Sequence, residues 1–210
     1  MSEYRLYCVG ESGNCYKVAL MLELCQLPWK PVFVDYFGGE TRGEAFRDSL
    51  NELGEVPMLE AEGLQLTQSG AILTWLAERT GKFGGRNEAE RIEVLRWILF
   101  DNHKFTSYYA TLRWLVGIEK KADPAVVQFL RGRAVGAFKI VDKHLSTRKF
   151  LLGDEPTIAD FSLVGYHYFD EETSIDRNEF PNLLAWTQRI RALPGWKHPY
   201  ELMPKGRAEH

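Results

Sequence analysis

The periodicity of this chain switches at residues 80–87, and that switch restricts its fold more than any other feature. Before it, short runs of β-branched and aromatic residues alternate with helical patterns; after it, every patterned stretch is helical. Tyr4 to Val9 and Trp29 to Tyr36 read as strands, with Pro28 and Pro31 at the second run's start, where a lost N–H is tolerated. Between them Val18, Met21, Leu22 and Cys25 recur at helical spacing, so the opening third predicts strand, helix, strand and a right-handed parallel unit. A helix is expected over residues 41–49. Residues 58–60 and 64–67 flank Ala61-Glu62-Gly63 as a hairpin, and Gln68-Ser69-Gly70 opens a helix whose apolar face is Ile72, Leu73, Leu76 and Ala77. Thr80-Gly81-Lys82-Phe83-Gly84-Gly85-Arg86-Asn87 is glycine-rich and polar, the composition of a linker. The expected division is a domain over residues 1–80, a linker over 81–87 and a helical domain over 88–210.

Within the second half, residues 88–115 carry a long apolar stripe that includes Ile92, Leu95 and Leu99. Asp123-Pro124 places a capping side chain ahead of proline at the first helical position, opening a helix to about Leu145. Thr157-Ile158-Ala159-Asp160 has the form of a capping box, with Asp in the place of Glu. Pro181 to Leu193 reads as the last long helix, stopped by Pro194-Gly195. With this patterning, 210 residues and a formal charge of −3, the chain has no basic footprint for nucleic acid. No segment reads as a signal peptide or membrane span, so a cytoplasmic location is expected. Cys8, Cys15 and Cys25 are an odd set without close pairing, which fits reduced thiols. The five histidines, His103, His144, His167, His198 and His210, are too scattered for metal-ligand spacing, and no metal is expected.

Four stretches stand out in order: Ser12-Gly13-Asn14-Cys15-Tyr16-Lys17-Val18, Glu55-Val56-Pro57-Met58-Leu59, Thr67-Gln68-Ser69-Gly70-Ala71-Ile72-Leu73, and the structural cap Thr157-Ile158-Ala159-Asp160. The first lies where a strand turns into a helix, where amides without intrahelical partners point outward and favour negative charge. In this order, the four stretches make the whole chain resemble the cytosolic glutathione transferases, of the bacterial-like, serine type. The resemblance implies an α/β plus all-α architecture, a thioredoxin-like N-terminal domain followed by an all-helical C-terminal bundle. It also implies a glutathione-using enzyme and a homodimer.

Glutathione requires a seat for its γ-glutamyl charges, backbone pairing for its extended middle, and surroundings that favour its thiolate. A free thiol titrates near 8.5, and a helix N-terminus with a hydroxyl donor lowers that value. Ser12 is the candidate donor with Asn14 in support, although a serine there also serves as an ordinary helix cap. Cysteine-type relatives place their thiol where Ser12 stands, which leaves Cys15 one turn inside the helix as a small buried hydrophobe. By resemblance the Val56-Pro57 bond is cis and turns the backbone of Val56 toward the cysteinyl unit. Gln68 and Ser69 open a helix and suit the γ-glutamyl end. The glycine carboxylate calls for a cation where this chain has Glu55, and Arg42 is the candidate to supply it. The electrophile pocket is expected on the first bundle helix, from Phe105, Tyr108, Tyr109 and Arg113 at helical spacing. Three activities fit: conjugation of a small hydrophobic electrophile, another glutathione-dependent reaction (disulfide reductase, peroxidase, dehalogenase or isomerase), or protein binding without catalysis.

Overall fold

A computed structural model describes residues 3–207. The chain forms two units, one of residues up to Lys82 together with those from Leu193 onward, the other of Phe83–Ala192. The first unit contains strand β1 (Tyr4–Cys8), helix α1 (Gly13–Leu24), β2 (Trp29–Phe33), α2 (Glu44–Ser49), β3 (Met58–Ala61), β4 (Leu64–Thr67) and α3 (Ser69–Thr80). Its sheet runs β2-β1-β3-β4, with β2 parallel to β1 and the other pairs antiparallel. This is the thioredoxin-like arrangement that the resemblance implies. Pro31 pairs with Leu6 inside β2, and β2 is an edge strand, where a missing ladder donor faces outward. The helix expected over 41–49 is split. Gly43 is extended at ψ 147°, so a tight turn at Glu40–Arg42 ends before it and α2 begins after it.

The second unit is helical. Helix α4 (Glu88–Phe100) continues through a wider π-helical segment at Asp101–Phe105 into α5 (Thr106–Arg113), then into a second such segment at Trp114–Glu119. The first widening coincides with a buried acid, since Asp101 accepts hydrogen bonds from Thr106 Oγ1 at 2.5 Å and Ser162 Oγ at 2.7 Å. Helices α6 (Pro124–Leu145), α7 (Ile158–Val164) and α8 (Pro181–Arg191) complete the bundle. Asp123 caps α6 through Ala125 N at 2.7 Å, with Pro124 in the first turn. Helix α4 buries Val94, Trp97 and Ile98, while the stripe of Ile92, Leu95 and Leu99 is exposed.

Two boundaries depart from the sequence expectation. Phe83, placed in the linker, packs its ring against Phe161 at 4.9 Å and accepts a hydrogen bond from Ile158 N at 2.8 Å, which ties residues 83–87 to the helical unit. Beyond Pro194-Gly195 the chain forms one more turn of helix, α9 (Pro199–Leu202), and belongs with the first unit.

His167 sits in the bundle core, its ring 5.3 Å from both Phe105 and Tyr109 and 5.2 Å from Phe138. Neither ring nitrogen has a hydrogen-bond partner. Burial, with a smaller contribution from the positive charge of Arg177, pushes its pKa from 6.5 down to about 3. Between those values the unfolded imidazole binds a proton that the folded one refuses, so stability falls as the pH drops below 6.5 and is indifferent to this group above it. Chemical unfolding at pH 5 should show a loss of about 2 kcal/mol from this residue relative to pH 7. The loss should be absent from His167→Phe.

Among the described residues no helix is long and apolar enough to cross a membrane, and no group of three or more His, Cys, Asp or Glu side chains could hold a metal ion. His210 lies outside the described residues.

Candidate active site

The sheet register brings three of the four stretches to one end of the first unit. Tyr7 on β1 pairs with Met58 on β3, and Met58 pairs with Thr67 on β4. Just past that row lie the turn from β1 to Ser12, the Val56-Pro57 step and the Gln68-Ser69 step. Helices α1 and α3 therefore both begin at this end of the sheet.

At the first corner, Ser12 N donates to Val9 O at 3.1 Å and tightens the turn out of β1. Ser12 is extended, at φ −86° and ψ 111°, and its Oγ accepts from Cys15 N at 3.2 Å. It is therefore the helix cap that serine residues commonly form. A hydroxyl that accepts one hydrogen bond still has its own proton to donate, so capping and sulfur stabilisation are compatible. Ser12 and Asn14 are half-buried, and the first turn of α1 has no acidic residue to cancel its positive end. Cys15 is fully buried, and burial pushes its thiol up to about 12 against the opposing hydrogen bonds from Ser12 and the Val9 backbone. Burial also holds the Cys8 thiol well above the usual range. Neither is a thiolate at neutral pH, as the small-hydrophobe reading of Cys15 requires.

The Val56-Pro57 bond is cis, with Pro57 buried and Val56 half-buried. Val56 precedes the first paired residue of β3. Gln68 takes the left-handed region at φ +66° immediately before Ser69, the buried first residue of α3. Gln68 Nε2 donates to Glu55 Oε2 at 3.0 Å. An amide facing a carboxylate presents its NH2, so the carbonyl oxygen of Gln68 points elsewhere and remains an acceptor. Glu55 is thus drawn to the Gln68 end of the site, not left facing the expected carboxylate seat.

Arg42 is exposed, and its guanidinium lies over Gly39, where a Cβ would come within 2.6 Å of Nη2. The cation set against the loop that leads to Val56 is instead Arg47, which sequence reasoning missed. Its Nη1 donates to Glu52 O at 3.0 Å, and its guanidinium occupies the space a Cβ on Gly54 would need. Its only advance signal was an arginine on α2 facing the turn ahead of the V-P step.

The expected electrophile wall needs correction. Phe105 and Tyr109 are 1% and 2% exposed, consumed by the aromatic core around Phe138 and His167. Arg113 is 2% exposed; it pairs with Glu171 at 2.6 Å, and its guanidinium lies 4.0 Å from the Phe169 ring centre. Only Tyr108 is half-exposed, its ring edge-on to Phe129.

Comparison with known proteins gives this geometry a lineage. Residues 11–79 match the model for the glutathione S-transferase N-terminal domain, and residues 105–194 match that for the C-terminal domain. A glutathione S-transferase crystal structure from Pseudomonas fluorescens Pf-5 superposes with a TM-score of 0.89 at 34% identity, over 94% of this chain and 99% of that one. The chain belongs to the glutathione S-transferase family. A maleylacetoacetate isomerase from Rhizobium meliloti is 29% identical over 97% of this family member and 99% of the isomerase. The crystal structure of a glutathione transferase homolog from Lodderomyces elongisporus, which holds two GSH per subunit, superposes at a TM-score of 0.87 and 26% identity, over 97% of this chain and 100% of that one. In this family member the three stretches at one sheet end are the candidate glutathione site.

Proposed function

We propose that this family member is a serine-type glutathione S-transferase. The observation that supports the reading most is the row Tyr7, Met58, Thr67, which sets Ser12, the cis Val56-Pro57 bond and Gln68-Ser69 at the end of the sheet where two helices begin. A tripeptide laid across that end pairs its cysteinyl backbone with Val56. Its γ-glutamyl carboxylate meets Ser69 and the first amides of α3, its ammonium meets the Gln68 carbonyl backed by Glu55, and its glycine carboxylate falls to Arg47 or Arg42. The sulfur then rests on the Ser12 hydroxyl and the α1 amides, with Asn14 beside it. Held there as thiolate, it attacks the electrophilic carbon of a small hydrophobic substrate, and the departing group leaves with the electron pair of the broken bond. We place the protein in the cytoplasm as a homodimer, with the exposed faces of α4 (Ile92, Leu95, Leu99) and α6 (Val126, Phe129, Ile140) as the surfaces that association would cover.

Conjugation of an activated aryl halide with glutathione tests this reading, together with calorimetric titration of the tripeptide. Binding and conjugation support it; no heat of association at saturating glutathione would refute it. A glutathione-dependent isomerase is the second reading, favoured by the near-full-length likeness to the Rhizobium enzyme. The same sulfur site serves it, with thiolate adding reversibly to a conjugated double bond. Binding without conjugation, accompanied by cis-to-trans isomerisation of an unsaturated diacid, would favour that chemistry.

A further inference from the structure

The last described residues are stitched to the loop that presents Ser12. Gly10 N donates to Pro204 O at 2.7 Å. The carboxylate of Glu11, 7% exposed, accepts from two successive tail amides, Gly206 N at 2.9 Å and Arg207 N at 3.0 Å. Both glycines at this seam are required by space. A Cβ on Gly10 would lie 2.9 Å from Pro204 O, and one on Gly206 would lie 2.6 Å from Val9 Cγ2 and 2.9 Å from the Phe37 ring. The approach is anchored upstream, where Tyr16 on α1 donates its hydroxyl to Lys197 O at 2.9 Å and Lys197 Nζ reaches Glu23 at 2.5 Å. Arg207 closes the seam over the Phe37 ring, 5.8 Å from its centre.

We infer that the tail Met203–Arg207 is a built part of the sulfur site and that Glu11 is a positioning residue for Ser12, held in place by the tail amides. The inference rests on the proposed role of Ser12. Two physical effects carry it. Glu11 is the residue next to Ser12, and a carboxylate with nothing to hold it would oppose a thiolate at the start of α1; two amide N–H groups bind its charge inside the seam instead. Both hydrogen bonds also hold the backbone of residues 10–12 at a set height, and the hydroxyl rides on that backbone. Removal of the tail contact would leave glutathione's ends bound and its sulfur poorly supported.

Glu11→Ala and Gly206→Ala in the full chain approach the seam from its two sides. The readouts are the apparent pKa of the bound glutathione sulfur, followed by thiolate absorbance across pH, and the separate kcat and KM of conjugation. Gly206→Ala, which keeps the carboxylate and loosens its hold, is expected to raise the sulfur pKa by about one unit and lower kcat about ten- to hundredfold, with KM for glutathione changed less than about threefold; Glu11→Ala, which removes the charge along with the anchor, should lower kcat to a similar extent with a smaller change in sulfur pKa. Glu11→Gln, which keeps an oxygen for the tail amides, should recover part of the loss. Unchanged sulfur pKa and kcat in Gly206→Ala, whatever its melting temperature, would overturn the inference, as would an unchanged kcat in Glu11→Ala. A parent protein with no thiolate signal on glutathione addition would refute the Ser12 reading itself, and the tail's role with it.

Discussion

Replacing Ser12 by alanine is expected to lower conjugation by about one to three orders of magnitude, roughly 1.4 to 4 kcal/mol of transition-state stabilisation. The hydroxyl caps α1 through Cys15 N and, in the proposed mechanism, donates toward the sulfur, and alanine removes both. Loss of the cap alone costs about 1 kcal/mol of stability when alanine replaces serine, but only a few tenths when glycine does. Ser12→Gly therefore isolates the chemistry. It should lose as much activity as Ser12→Ala while melting near the parent temperature, and its bound sulfur should titrate closer to the free thiol. Turnover that survives in both variants would remove Ser12 from the mechanism. Cys15 offers no rescue, because its buried thiol is protonated at working pH.

The largest stability effect is expected at Asp160, far along the chain from any of this chemistry. Its carboxylate is fully buried and accepts from Leu151 N at 2.9 Å, Thr157 N at 2.9 Å, Thr157 Oγ1 at 3.2 Å and the Trp186 indole at 2.8 Å. Burial raises its pKa and these hydrogen bonds oppose that rise. One side chain thus closes the capping box of α7, holds the 150s loop and ties α7 to α8. Asp160→Ala leaves three buried N–H donors without an acceptor, each worth about 1–3 kcal/mol. A net loss of about 3–5 kcal/mol is expected in chemical unfolding, with the melting point lowered by about 10 °C or more. Asp160→Asn should fare little better, because its amide sets an NH2 against donors. A change below about 1 kcal/mol in either variant would show that the network is not what fixes α7.

Much of this was legible in the residues. Thr157-Ile158-Ala159-Asp160 announced its capping box because the hydrogen bonds involved are local and need only the right spacing. The cis Val56-Pro57 bond came from the resemblance, because X-Pro makes a cis bond cheap without requiring it and equally fits an ordinary strand start. The strands of the first unit followed from short runs of β-branched and aromatic residues, and the parallel pairing of the first two from the crossover rule. What stayed hidden was which partner a face meets. Phe105 and Tyr109 share a helix face with Arg113, and spacing alone does not tell a cavity wall from a core; His167, about sixty residues away, turned that face into core. The stripe of Ile92, Leu95 and Leu99 has helical spacing yet points outward, because periodicity finds an apolar face without saying what covers it. Arg47 and Glu11 were hard to place for the same reason, since each meets backbone groups, of Glu52 and of Arg207, that no spacing pattern brings to it. The Pro194-Gly195 stop was read correctly as a helix end, but no local pattern in residues 196–207 shows that this segment packs with the first unit.

A crystal structure of the protein grown with saturating glutathione tests the central claim most directly. The expected result places the sulfur about 3 Å from Ser12 Oγ at the start of α1, with the cysteinyl backbone paired to Val56 and the γ-glutamyl carboxylate on Ser69. A tripeptide bound with its sulfur away from that corner, or a site left vacant at saturation, would contradict the account.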